Sequence, residues 1–159
     1  MPDEPRLVYW DSCVFLHYID GTPERLPILD ALLDEASTTN DLDIVTSTLS
    51  IGEVAFAQVE RTGRTLDPAI EARIDALSAD RTAIQLVEMD QVIARAARTL
   101  LRAAVAQARS LKPLDAIHLA TAQQMQVAEF HTTDDRLKNW SDLGFAVHDP
   151  WTAPAIQKP

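Results

Sequence analysis

One cysteine, four glycines and no extended apolar run leave several classes of protein without support. A lone thiol, Cys13, cannot close an intramolecular disulfide, and its solitude suits a reducing compartment. Neither GxGxxG nor GxxxxGKS/T occurs, so dinucleotide binding and P-loop chemistry have no motif here. No apolar stretch approaches the roughly 20 residues of a membrane-spanning helix. The opening MPDEPRL is acidic and lacks the apolar centre of a secretion signal. His17, His131 and His148 are scattered and form no HxxxH-type ligand pair. The expectation is a soluble cytoplasmic protein with no membrane partner.

Positive charge is also scarce, and unevenly so. The formal net charge is −10. Residues 1–60 carry 12 acidic and 2 basic side chains, and residues 61–159 carry 12 of each. A chain so acidic is a poor tight, nonspecific binder of nucleic acid. Basic groups do cluster later, at Arg109, Lys112, Arg136 and Lys138. They are either phosphate contacts beside a site or ordinary solvated charges.

What the chain does have is enough apolar material for a full core: 159 residues, 47% hydrophobic. The reading is one domain over residues 1–150, followed by a proline-containing tail at 151–159. Apolar runs at 7–10, 43–46, 83–87 and 129–132 read as strands, with 146–148 as a fifth candidate. Helices are expected at 12–18, 26–36, from Ser50 through Glu53, at 67–77, from Asp90 through Val105, and at 114–126. Asp67-Pro68 and Asp90 are start signals, while 61–65 around Gly63 reads as a polar loop. Alternation of this kind predicts a mostly parallel sheet with helices on both faces.

Four acids stand at strand-to-helix junctions: Asp11, Glu53, Asp115 and Asp134. Ligand sites in such sheets lie beyond the carboxyl ends of the strands, where all four can meet. Crowded carboxylates repel one another, and a hard divalent cation such as Mg²⁺ or Mn²⁺ removes that penalty. The set therefore predicts a metal-dependent phosphodiester-cleaving site. Each acid also has a local alternative. Asp11 and Asp134 can be helix N-caps, Ser50 and Glu53 match a capping box, and Asp115 suits a helix N-terminus. His118, one turn after Asp115, reads as a ligand, a general base or a hydrogen-bonded semi-buried ring. Trp10, Trp140 and Trp151 can stack on bases, with core packing or a dimer surface as the alternative.

The segments VYWDSCVFL, TSTLSIGEV, LDAIHLATA and HTTDDRL, in this order, resemble the four acidic motifs of the PIN domain, most closely those of VapC-type toxins. The resemblance runs from Leu7 to His148. It implies a three-layer α/β/α sandwich and a Mg²⁺- or Mn²⁺-dependent endoribonuclease cleaving single-stranded RNA. It also implies a cognate antitoxin partner. It places metal-binding acids at Asp11, Glu53, Asp115 and Asp134, with Ser12 and Thr132 as polar supports. Asp135, adjacent to Asp134, is an auxiliary candidate. With water as the attacking group, products should carry 5′-phosphate and 3′-hydroxyl ends. Two other classes stay open: a PIN-like protein-binding module without turnover, and an aspartyl phosphohydrolase. The second usually wants an aspartate two positions after the first, where this chain has Cys13. A homodimer is also open.

Overall fold

A computed structural model describes residues 4–140 and 142–152. Among these, the order is β1 (Arg6–Trp10), α1 (Ser12–Asp20), α2 (Leu26–Thr38), β2 (Leu42–Ser47), α3 (Leu49–Glu53), α4 (Gln58–Gly63) and α5 (Pro68–Ala79). There follow β3 (Ile84–Val87), α6 (Gln91–Ala106), α7 (Pro113–Gln124), β4 (Glu129–His131), α8 (Asp135–Lys138) and β5 (Ala146–His148). No helix is long and apolar enough to cross a membrane among the described residues.

The strands form one parallel sheet in the order β3-β2-β1-β4-β5. Central parallel strands are covered on both faces, which is why β1 and β2 read as near-continuous apolar runs. Val8, Trp10 and Ile44 pack with Val14, Phe15, Ile19 and Leu29 on one side. Tyr9, Val45 and Phe130 pack with Ala104, Leu119, Ala122 and Leu137 on the other. Ile93 and Ala97 of α6 meet Ala116 and Ala120 of α7, where small side chains let the two helices approach closely. The result is the expected three-layer α/β/α sandwich.

Local signals set most boundaries. Asp67 accepts the Ala69 N–H at 2.9 Å and Asp90 accepts that of Ile93 at 2.9 Å. Each such cap contributes about 1 kcal/mol. Gly21, at φ +66°, closes α1 by donating its N–H to the carbonyls of His17 and Tyr18. One expectation fails at the polar loop 61–65, because part of it belongs to α4. Buried Glu60 accepts the N–H of Ala57 at 3.1 Å and that of Asp67 at 2.8 Å. One carboxylate thus ties both ends of the segment, a long-range device that residue pattern does not display. The short α8 begins directly after Asp134, which caps it as the N-cap alternative expects.

Trp10 and Trp140 are buried, so neither is free to stack on a base. Trp151 lies against the Arg25 guanidinium, 4.2 Å from the ring centroid, and against His17. Beyond Thr152 the tail lies outside the described residues.

Candidate active site at the carboxyl ends of the strands

The chain leaves β1 for β2 on one side and returns as β4 on the other. The crevice beyond the ends of β1 and β4 is therefore the topological switch point, the usual ligand position in such sheets. Asp11 is the first residue after β1 and Thr132 the first after β4.

Asp11 is buried and held from several sides. Its Oδ1 accepts the Ser12 N–H at 2.8 Å and its Oδ2 accepts the Thr132 hydroxyl at 2.8 Å. The Ser12 contribution is its backbone N–H. The Thr132 oxygen in turn accepts the Asp134 N–H at 3.1 Å, tying Asp11 to the start of α8. Cys13 donates to Asp11 at 3.6 Å and accepts the Thr133 N–H at 3.2 Å. Burial, then the Asp11 charge, pushes the Cys13 thiol up to about 11. Cys13 is a packed buttress and a poor nucleophile.

Glu53 ends α3, and its Oε2 lies 2.5 Å from His118 Nε2. The capping-box alternative fails here. Thr48 precedes α3 without a side-chain cap, and Ser50 bonds Thr46 at 2.7 Å instead. His118 is fully buried, and its Nδ1 lies 2.6 Å from the Tyr9 hydroxyl. That hydroxyl also accepts the Ser47 N–H at 3.0 Å. A carboxylate only accepts, so His118 Nε2 carries a hydrogen toward Glu53, and in the neutral ring Tyr9 donates to Nδ1. His118 Nε2 is also 3.8 Å from Asp11 Oδ1, so the ring sits between two acids. Burial pulls the His118 pKa down. The Glu53 hydrogen bond and the charges of Asp11, Glu53 and Asp115 outweigh it, and the net direction is up.

Asp115 occupies the first turn of α7, half-buried. Burial, then the charges of Asp11 and Asp134, raises its carboxyl above the usual range, offset in part by Arg136 and His118. Asp134 is the N-cap of α8 and is clamped by Arg136, with Nε donating to Oδ1 at 2.9 Å and Nη2 to Oδ2 at 2.5 Å. That clamp holds the Asp134 carboxyl below its ordinary value. Asp135 points away: its side chain is 91% exposed and pairs with Lys138 at 3.1 Å.

The four acids are therefore compensated unequally. Asp11 has the Ser12 N–H, the Thr132 hydroxyl and the Cys13 thiol as donors, Glu53 has His118 and Asp134 has Arg136. Asp115 faces two like charges, and no hydrogen bond among the described residues reaches its carboxylate. The pocket is short of positive charge at that point. All-oxygen donors at a site with that deficit suit a hard divalent cation. Of the four basic groups, Arg136 and Lys112 act on Asp134. Arg109 lies over Trp140 at 4.2 Å, and Lys138 pairs with Asp135 and Asp149.

Sequence reasoning did not find Tyr9, whose role depends on a partner 109 residues away. It also held His131 and His148 to be scattered. Parallel pairing of β4 with β5 places them side by side, with Glu129 against both.

The fold defines an α/β/α protein with acidic side chains grouped at the switch point of its sheet. The PIN domain family model matches residues 8–143, and the chain belongs to that family. Several solved structures share the fold. One is VapBC2 from Rickettsia felis bound to a DNA fragment from its promoter, with TM-score 0.66 and 9% identity over 90% of this chain and 98% of that one. Another is a toxin–antitoxin complex from Klebsiella pneumoniae, with TM-score 0.59 and 20% identity over 92% and 99%. A third is VapC20 from Mycobacterium tuberculosis, a toxin that cleaves the sarcin–ricin loop, with TM-score 0.59 and 12% identity over 82% and 92%. At these identities the likeness is one of fold. No curated protein sequence matches the chain.

Proposed function

We propose that the protein is a divalent-metal-dependent endoribonuclease and the toxin of a toxin–antitoxin pair. The observation that carries this reading is the convergence of Asp11, Asp115 and Asp134 at the switch point, with Asp115 lacking a donor. Glu53 joins them through His118. Asp11 and Asp115 are the core ligands, and Glu53 and Asp134 complete the set. Bound there, Mg²⁺ or Mn²⁺ supplies charge neutralisation, an activated water and stabilisation of the leaving oxygen.

The chain's own groups do the positioning. Thr132 and the Ser12 N–H fix the Asp11 carboxylate, and the Tyr9–His118 pair fixes Glu53. Arg136, half exposed, can exchange its bond to Asp134 for one to a phosphate oxygen of the RNA backbone. Lys112 lies on the same side. No side chain acts as a covalent nucleophile, so water attacks and the products carry 5′-phosphate and 3′-hydroxyl ends.

The toxin part of the reading is supported by the fold shared with VapBC2 and the Klebsiella complex. The acidic first 60 residues, net −10, suit a basic polypeptide partner, because complementary charge speeds encounter. The decisive experiment incubates the protein with a mixed RNA library and Mg²⁺ and maps the ends produced. Asp11→Asn, which keeps shape and removes a ligand charge, should abolish cleavage while leaving the fold intact. Metal binding without cleavage by the wild-type chain would favour the protein-binding module instead.

A further inference from the structure

Strands β4 and β5 carry the sequences EFH and AVH in register, with Glu129 beside Ala146 and His131 beside His148. Strand alternation turns Phe130 and Val147 toward the α6–α7 side and Glu129, His131 and His148 toward the opposite face. Among the described residues, these three alone bring metal-ligating atoms within 4.8 Å of one another as a group of three. His131 is 2% exposed, in a fold whose other sheet positions are largely apolar.

Their hydrogen-bond count closes only with an added proton on His148 or with a cation in that proton's place. Glu129 Oε2 lies 3.0 Å from Nε2 of His131 and 3.0 Å from Nε2 of His148. His148 Nδ1 lies 2.7 Å from the Asp149 carbonyl, which can only accept, so Nδ1 carries a hydrogen. In a neutral ring, His148 Nε2 then presents a lone pair to a carboxylate oxygen. Two acceptors do not rest 3.0 Å apart without a proton or a cation between them. His131 turns its Nε2 to the same carboxylate oxygen, so both imidazoles present Nε2 to Glu129, while the buried His131 Nδ1 has no partner among the described residues.

We propose that Glu129, His131 and His148 form a Zn²⁺ site, with two imidazole nitrogens, one carboxylate oxygen and a fourth position open to water. Bond lengths of about 2.0–2.1 Å in a tetrahedral site put donor atoms about 3.3 Å apart, so the present spacing needs shifts of a few tenths of an ångström. Two nitrogen donors select a late first-row ion over Mg²⁺. Outer partners are in place as well. Arg6 donates to Glu129 Oε1 at 3.0 Å, leaving Oε2 for the ion, and the Asp149 carbonyl orients His148. The ion clips the three-residue edge strand β5 to β4, one residue before Thr132, whose hydroxyl holds Asp11. This site shares no ligand with the acidic cluster, although the His131 carbonyl accepts the Asp11 N–H at 3.0 Å.

The test uses the full chain, stripped with a chelator and titrated with Co²⁺ in excess Mg²⁺. The wild type should bind one Co²⁺ with the strong visible bands of tetrahedral nitrogen–oxygen coordination, and Zn²⁺ should displace it. Asp11→Asn/Asp115→Asn should keep the bands, whereas His148→Gln and Glu129→Gln should weaken binding at least tenfold. X-ray absorption at the zinc edge of the wild type, which needs no variant, should count two imidazoles. Absent bands, bands that survive in both His148→Gln and Glu129→Gln, bands lost in the double aspartate variant, or an edge spectrum without imidazole would each overturn the proposal.

Discussion

Tyr9→Phe removes a single oxygen from the centre of the molecule and leaves the packing alone. The ring is fully buried and stacks on Phe130, with centroids 4.9 Å apart and planes 6° from parallel, and phenylalanine preserves that stack. The lost hydroxyl accepts the Ser47 N–H at 3.0 Å and lies 2.6 Å from His118 Nδ1. Burial holds the phenol far above its ordinary pKa, so the hydroxyl stays protonated across the working range. Its removal strands two buried polar atoms, each costing about 1–3 kcal/mol when unpaired. With partial relaxation the expected loss is about 3 kcal/mol. At about 2–4 °C per kcal/mol for a domain of this size, Tm should fall by about 6–12 °C. Urea unfolding should show a lower midpoint at an unchanged slope. His118 also loses the partner that fixes its ring, and loosening an outer-shell contact typically costs about 10–100-fold in metal affinity or activity. Stability within about 0.5 kcal/mol of wild type, with undiminished Mn²⁺ affinity, would refute the idea that Tyr9 and His118 act as one hydrogen-bonded unit.

Two further outcomes follow from the same geometry. The folded state raises the His118 pKa, so the stability it contributes is complete below the ordinary value of 6.5 and is lost as pH rises through the higher folded value. The wild type should therefore lose its advantage over His118→Gln on moving upward from pH 6.5, as read by urea midpoints across a pH series; a gap that widens with pH contradicts the assignment. Adding Mn²⁺ should raise Tm, by an amount equivalent to about 2.7 kcal/mol at a hundred times Kd. The gain should weaken in acid, because Asp115 must lose its proton from a raised pKa, and it should largely vanish in Asp11→Asn/Asp115→Asn. An equal gain in both proteins would mean generic screening of the −10 charge.

Much of this protein is legible from residue order alone, for reasons of short range. Period and run length mark the five strands, since a parallel strand buried on both faces must be apolar on both. Asp67-Pro68, Asp90 and Gly21 punctuate helices through bonds to residues two to four positions away. The acids at strand ends stand out because backbone geometry sends those positions to one edge of the sheet. Other features depend on atoms brought together only when the sheet forms. Glu60 closes a loop on two sides, and Asp135 turns to solvent while Asp134 turns inward. Tyr9 reaches His118 across 109 residues, which makes a hydrogen-bonded support for Glu53 that no spacing announces. His131 and His148 look unrelated along the chain, yet strand pairing makes them neighbours against Glu129. Elements and their capping are local free energies that the sequence carries in plain order. Which carboxylate is neutralised, by which partner, is a long-range electrostatic question, and only the tertiary structure supplies the distances that answer it.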